Sequence, residues 1–114
     1  YEEYQCEDAE YLLVAYGTSA RVCQKAVQLA REQGIKAGLL RPVTLFPFPS
    51  KRIMERAEQV KMAMAVEMSA GQMVEDVMLA VNGKVPVHHY GRMGGMIPTP
   101  DEVVENLKER ITGG

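Results

Sequence analysis

Three short stretches carry most of the side chains able to do chemistry in this 114-residue chain. Gly17-Thr18-Ser19 joins an apolar run to a helix-period segment. Its backbone N–H groups and the helix dipole could hold a phosphate or carboxylate, or Thr18 or Ser19 simply caps the helix. One glycine makes neither a GxGxxG fingerprint nor a Walker loop. Glu67-Met68-Ser69-Ala70-Gly71-Gln72 ends a second apolar run in an acid, where catalytic carboxylates often sit in α/β proteins. No His, Lys or second acid stands beside Glu67 in the sequence, so acid–base work has weak support. The plainer reading is an ion-paired or solvated Glu67, with Ser69 capping the next helix. The other is a rim position at an active site or subunit interface. His88 and His89 are neighbours on an expected strand, so they point to opposite faces and cannot jointly chelate one ion. With no third His in the chain, a zinc site has little to build on.

Cys6 and Cys23 are the only cysteines. They read as unpaired thiols in a reducing cytoplasm, against the alternative of a disulfide or redox pair. Thirteen Lys and Arg against fifteen Asp and Glu give a net charge of −2 with no basic run, so the footprint of a nucleic-acid binder is missing. No apolar run approaches the roughly 20 residues of a membrane helix. No Ser–His–Asp set, paired-acid spacing, CxxC or calcium-loop pattern is present.

The elements that position these residues follow from periodicity. Tyr11–Tyr16 is nearly all apolar, as a strand covered on both faces must be. A helix over Ala20–Gln33 puts Val22, Cys23, Ala26, Val27, Leu29 and Ala30 on one stripe, and Gly34 ends it in a left-handed cap. Ile35–Leu40 is the second strand, closed by Arg41-Pro42. A Pro-punctuated loop (Val43–Pro49) leads to a helix from Ser50 to Gln59 with Ile53, Met54, Ala57 and Val60 apolar. Met62–Val66 is the third strand. Gly71–Val81 is a helix with Met73, Val74, Val77, Met78 and Val81 on one side. Asn82-Gly83 turns the chain into a strand over Val85–Tyr90. After the loop Gly91–Ile97, Thr99 caps a helix over Asp101–Ile111, with Pro100 at its first position and Glu102 completing a capping box.

Alternating strands and helices predict a three-layer α/β fold on a doubly wound, mainly parallel sheet of about four strands. Right-handed crossovers place the first strand inside, giving the spatial order second–first–third–fourth. The topological switch then lies between the first and third strands, where the loops Gly17–Ala20 and Met68–Gln72 should converge. Gly17, Thr18, Ser19, Glu67, Ser69, Gly71 and Gln72 are the candidate site residues there. Residues 1–114 form one domain, with charged Tyr1–Glu10 read as the lead-in from a larger parent subunit.

Eight methionines are many for this length, and Met suits both irregular gaps and adaptable contact surfaces. Met62 and Met64 share a strand face and are expected in the core. Phe46 and Phe48 between prolines, and Met93 and Met96 flanking Gly94-Gly95, read as packing either inside the domain or on a neighbouring subunit.

Glu7-Asp8-Ala9-Glu10-Tyr11, Val14-Ala15-Tyr16-Gly17-Thr18-Ser19-Ala20, Gly38-Leu39-Leu40-Arg41-Pro42-Val43-Thr44-Leu45-Phe46-Pro47-Phe48-Pro49, Val66-Glu67-Met68-Ser69-Ala70-Gly71-Gln72-Met73 and Tyr90-Gly91-Arg92-Met93-Gly94-Gly95-Met96-Ile97-Pro98-Thr99-Pro100 together resemble the C-terminal part of an α-type subunit of the 2-oxoacid:ferredoxin oxidoreductases. The 2-ketoisovalerate branch is the nearest match, and the chain is also similar to the C-terminal domain of transketolase. The resemblance implies a parent enzyme that oxidatively decarboxylates a 2-oxoacid to an acyl-CoA and reduces ferredoxin. It implies thiamine diphosphate, Mg and iron–sulfur clusters elsewhere in that complex and none in this domain. By the same resemblance the domain is non-catalytic, carries no mapped catalytic residue, and contacts other domains and subunits of a cytoplasmic complex. A free-standing module binding a nucleotide or acyl-CoA at the switch point is the alternative. The transketolase-like domains also carry an extra antiparallel strand, which only Tyr1–Cys6 could supply here.

Overall fold

A computed structural model describes residues 1–42, 49–67, 72–91 and 98–113. The described elements run β1 (Glu2–Tyr4), β2 (Tyr11–Val14), α1 (Thr18–Glu32), β3 (Ala37–Arg41), α2 (Ser50–Ala57), β4 (Met62–Glu67), α3 (Gln72–Val81), β5 (Val87–Gly91) and α4 (Pro100–Gly113). The strands form one sheet in the order β1-β3-β2-β4-β5. The four strands expected from periodicity are β2, β3, β4 and β5, all parallel and in the predicted spatial order. The strand count needs correcting to five. β1 pairs antiparallel with β3, Glu2 opposite Arg41 and Tyr4 opposite Leu39. The lead-in is therefore an edge strand of the sheet.

Alternation along the strands builds two cores. Leu13, Leu39, Met62, Met64 and Val66 face α1 and α4 and pack with Cys23, Val27, Val104 and Leu107. Leu12, Val14, Leu40, Ala63 and Ala65 face α2 and α3 and pack with Ile53, Val77 and Val81. Each fully buried aliphatic side chain contributes about 1.5–3 kcal/mol through removal from water. That two-sided burial is why β2 and β4 read as unbroken apolar runs. Met62 and Met64 lie in the core as expected. Met54 and Met78 do not: they are 37% and 53% exposed, because α2 and α3 turn only a narrow stripe inward.

Element ends follow local chemistry. Gly34 N–H bonds the Arg31 carbonyl and Ile35 N–H bonds that of Ala30, which is the Schellman closure of α1. The start of α1 differs from expectation. It begins at Thr18, with Gly17 as N-cap and no side-chain cap bond, so neither Thr18 nor Ser19 plays the capping role. Gly17 has φ 62° and ψ −139°, a backbone region that L side chains avoid, and that turn lets the helix start earlier. The capping box of α4 forms as predicted: Glu102 N–H donates to Thr99 Oγ1 at 3.2 Å, and Thr99 N–H donates to Glu102 Oε1 at 3.2 Å. Strand β5 starts at Val87, after Pro86, which has no N–H to give the ladder.

The N-terminal strand is held by side chains from both flanking layers. Glu3 accepts two hydrogen bonds from Arg52 (both 2.8 Å) and two from Arg56 (2.9 and 3.0 Å). Gln59 Nε2 donates to the Cys6 carbonyl at 2.8 Å. Arg52, Arg56 and Gln59 stand at i, i+4 and i+7, so one stripe of α2 and its C-terminal extension grips the segment. From the opposite layer, Arg31 donates to Asp8 and to the carbonyls of Gln5 and Ala37. Gly38 completes the fit. A Cβ there would stand 2.7 Å from the Gln5 carbonyl oxygen and 2.9 Å from Ala9 Cβ, so the backbone of this segment lies directly on β3.

Candidate functional site

The carboxyl ends of β4 and β5 hold the most unusual group in the protein. Glu67, last residue of β4, has a side chain with no solvent exposure. Burying a carboxylate is costly unless fixed dipoles or a partner charge replace water. Here the N–H of Val74, in the first turn of α3, donates to Glu67 Oε2 at 3.1 Å. His89 Nε2 lies 3.5 Å from the same oxygen. Among the described residues that nitrogen is buried and has no hydrogen-bond partner, so it approaches Glu67 without a well-formed hydrogen bond.

Strand register makes this pairing. Ala65 of β4 is opposite His89 of β5, and Glu67 is opposite Gly91. Glu67 and His89 therefore lie on one face, two residues apart along the ladder. Gly91 clears the space between them, since a Cβ there would run into the Glu67 carbonyl and the His89 ring. The adjacent histidines do face opposite ways. Burial, with a smaller effect of the Arg110 guanidinium, pushes His88 below its ordinary pKa. Glu67 was expected to lack a histidine neighbour, and in that respect sequence reading missed His89.

Gly17, Thr18 and Ser19 follow β2, the direct parallel neighbour of β4, so the switch point lies where predicted. Ser19 is 3% exposed and faces inward. Gln72 opens α3. Ser69 and Gly71 lie outside the described residues, as do Phe46, Phe48, Met93, Gly94, Gly95 and Met96. Among the described residues no three His, Cys, Asp or Glu side chains gather as a metal would need. No described helix is long and apolar enough to cross a membrane.

The two cysteines are both unpaired and buried. Cys23 lies in the α1–α4 core and Cys6 in the α2–α3 core, so the sheet separates them and the disulfide alternative falls. Burial pushes the Cys23 thiol up to about 12 and raises that of Cys6. Neither has the thiolate character of a reactive cysteine.

Geometry of this kind ties the end of β4 to β5 and α3; among the described residues it does not assemble a nucleophile, a base and an oxyanion donor set. Known proteins agree with a part taken from a larger system. The chain is 52% identical over 109 residues to the ketoisovalerate oxidoreductase subunit VorB of Methanothermobacter marburgensis, covering 96% of this chain and 31% of that subunit. It is 35% identical over 101 residues to the 2-oxoglutarate synthase subunit KorA of the same organism, covering 89% of this chain and 27% of that subunit. The chain thus spans under a third of the length of these relatives. Among solved structures, 2-oxoglutarate:ferredoxin oxidoreductase from Magnetococcus marinus superposes with a TM-score of 0.74 at 21% identity, over 91% of this chain and 18% of that one. A split-gene transketolase gives a TM-score of 0.79 at 18% identity, over 93% of this chain and 39% of that one. At those identities the likeness establishes the fold. Residues 9–103 match the family described as pyruvate:ferredoxin oxidoreductase core domain II, and the chain belongs to that family.

Proposed function

We propose that this chain is the core-domain-II portion of a subunit of a 2-oxoacid:ferredoxin oxidoreductase, on the ketoisovalerate branch. The parent enzyme would convert a branched 2-oxoacid to its acyl-CoA and pass the electrons to ferredoxin. The observation that carries this reading is the gap between 52% identity to a ketoisovalerate oxidoreductase subunit and 35% to a 2-oxoglutarate synthase subunit over nearly the same residues. The portion itself is structural. It packs against other domains and subunits and shapes the surroundings of an active site whose thiamine diphosphate, Mg and iron–sulfur clusters lie elsewhere. Two free buried thiols suit a cytoplasmic complex. Phe46, Phe48 and the Met93–Met96 stretch are the proposed subunit contacts. A free-standing nucleotide- or acyl-CoA-binding module is not favoured, because the relatives are subunits of larger oxidoreductases.

The test is direct. Titrating the purified chain with thiamine diphosphate and Mg²⁺ in a calorimeter is expected to give no binding heat, and the chain alone no turnover of 2-ketoisovalerate. Binding at micromolar concentration would sink the non-catalytic assignment. In the full subunit, Phe46→Ser with Phe48→Ser is expected to leave the fold intact and to prevent assembly, read by size-exclusion chromatography.

A further inference from the structure

The two edges of the sheet are built differently. β1 is three residues long and carries Glu2 and Glu3, both ion-paired. β5, at the other end of the strand order, is five residues without a Lys, Arg, Asp or Glu. Every β5 residue keeps part of its surface in water, whereas β4 beside it is buried throughout. Proteins ordinarily guard an open edge with charges, prolines or bulges against pairing with another chain. Next to this unguarded edge stands α3, with Met78 53% and Leu79 78% exposed. Val77 and Val81 face the sheet, and Ala80 is buried on the flank where α2 packs, so Met78 lies on the opposite flank, over β5. We propose that the outer edge of β5, with the adjoining flanks of α3 and α4, is a two-fold interface for a second copy of this chain, the two β5 strands pairing antiparallel about His89.

The backbone fixes the centre. Ala63 N–H bonds the Pro86 carbonyl, so Pro86, His88 and Tyr90 turn their backbone groups to β4. Val87, His89 and Gly91 turn theirs outward, where no described strand meets them. A two-fold axis repeats each contact in reverse. Centred on His89, it sets Val87 against Gly91 and His89 against itself, which matches every outward N–H of the strand with a carbonyl. His88 then lies opposite Tyr90, an aromatic cross-strand pair.

Both helix layers agree with that centre. Tyr90 Oη donates to Glu102, at the start of α4, at 3.2 Å. His88, lowered in pKa by burial and then by the Arg110 guanidinium, lies toward the end of α4. α4 therefore runs antiparallel to β5 with its middle level with His89. The axis brings the acidic first turn of one α4 (Asp101, Glu102) beside the last turn of the other, where Arg110 is exposed. Opposite side-chain charges and opposite helix dipoles then face each other. On the other face, Val74 N–H bonds Glu67, which is opposite Gly91. Four helix residues rise about 6 Å and two strand residues about 6.6 Å, so Met78 is also level with His89. Met78 and Leu79 approach their own copies across the axis and leave water together. The inference uses only residues of this chain and does not depend on the oxidoreductase reading.

The test is analytical ultracentrifugation of the chain, with amide hydrogen exchange at the same concentrations. A reversible dimer of twice the 12.7 kDa chain mass is expected. Its Kd is expected on the order of 10 µM. The amides of Val87, His89 and Gly91 are expected to gain protection as concentration rises, while those of His88 and Tyr90, already bonded inside the sheet, stay as they are. Met78→Lys with Leu79→Lys changes two exposed side chains, leaves the circular dichroism spectrum intact, and is expected to weaken the dimer about a hundredfold. Val87→Pro removes one outward N–H without touching the ladder to β4, and is expected to give a monomer. Arg110→Glu is expected to weaken the dimer about tenfold, and Arg21→Gln, at the far edge, to change nothing. A chain that stays monomeric at about 1 mM overturns the proposal. So does a dimer whose outward β5 amides gain no protection, or one that survives both the double lysine variant and Val87→Pro. Protection of those amides only in the full-length subunit also overturns it, and gives the edge to another part of that polypeptide.

Discussion

Glu3 and Glu67 are carboxylates on the same side of one sheet, both turned toward α2 and α3, and the protein neutralises them in opposite ways. Glu3 is on an edge strand and is 18% exposed. Two long arginine side chains reach it from the surface and supply four hydrogen bonds. Glu67 is on a central strand with no exposure. A flexible arginine cannot reach that position without burying its own charge. A backbone N–H at the start of α3 and a neighbouring imidazole stand there instead. The edge is thus held by groups that can let go and rehydrate. The centre is held by groups fixed in the fold, and their loss leaves buried polar atoms with nothing to pair with.

Removing the central carboxylate should therefore have the largest effect. Glu67→Ala leaves the Val74 N–H and His89 Nε2 facing a dry hole, and is expected to cost about 3 kcal/mol in urea unfolding. A loss under about 1 kcal/mol would mean that water reaches the site freely, and the contrast between centre and edge would collapse.

The edge carboxylate should cost less and should reveal itself through pH. Hydrogen bonds from Arg56 and Arg52 hold Glu3 at about 2, below its ordinary value of 4.5. A folded-state pKa that is depressed gives stability that is fully present above about 4.5 and is lost as pH falls through 2. Glu3→Gln is expected to lower stability by about 1–2 kcal/mol at pH 7, after allowance for solvent screening at a partly exposed site. The gap between variant and wild type should narrow steadily below pH 4.5 and close near pH 2. A gap that stays constant with pH would show that the arginines hold β1 through packing and not through charge.

The same contrast explains what could be read in the sequence. The parallel strands, their spatial order, the Gly34 closure and the Thr99–Glu102 capping box are written in patterns a few residues long. β1 is not. Glu2-Glu3-Tyr4 is three residues with two charges, and its grip comes from Arg52 and Arg56, 49 and 53 positions away. Only the transketolase likeness hinted at the extra strand. The Glu67–His89 pair was within reach. The predicted order already placed their strands side by side, and aligning Ala65 with His89 brings Glu67 onto the same face. What periodicity does not supply is the register between two parallel strands, which the long crossover through α3 leaves free. The α1 start was misplaced for a different reason. Thr18 and Ser19 are strong capping residues, and the backbone turn at Gly17 overrode that preference.

The two thiols give the finest probe of edge against centre. Cys6 lies under the N-terminal segment, 2% exposed, with its Sγ 3.2 Å from the Leu39 carbonyl. Cys23 is fully buried between α1 and the sheet. Labelling of a buried thiol requires opening of the structure that covers it, and local openings span free energies from near zero up to global unfolding. If β1 and its following turn release as a unit, Cys6 should react through that opening while Cys23 waits for the whole domain. With Ellman's reagent under native conditions, Cys6 is expected to react first and Cys23 at the global unfolding rate. Glu3→Gln is expected to speed Cys6 by about five- to tenfold, the factor that corresponds to roughly 1 kcal/mol at the edge. The same substitution would speed Cys23 by no more than its effect on global stability. Equal acceleration of both thiols would show that edge and centre unfold together, so that the arginine clamp on Glu3 belongs to the same cooperative unit as the buried Glu67.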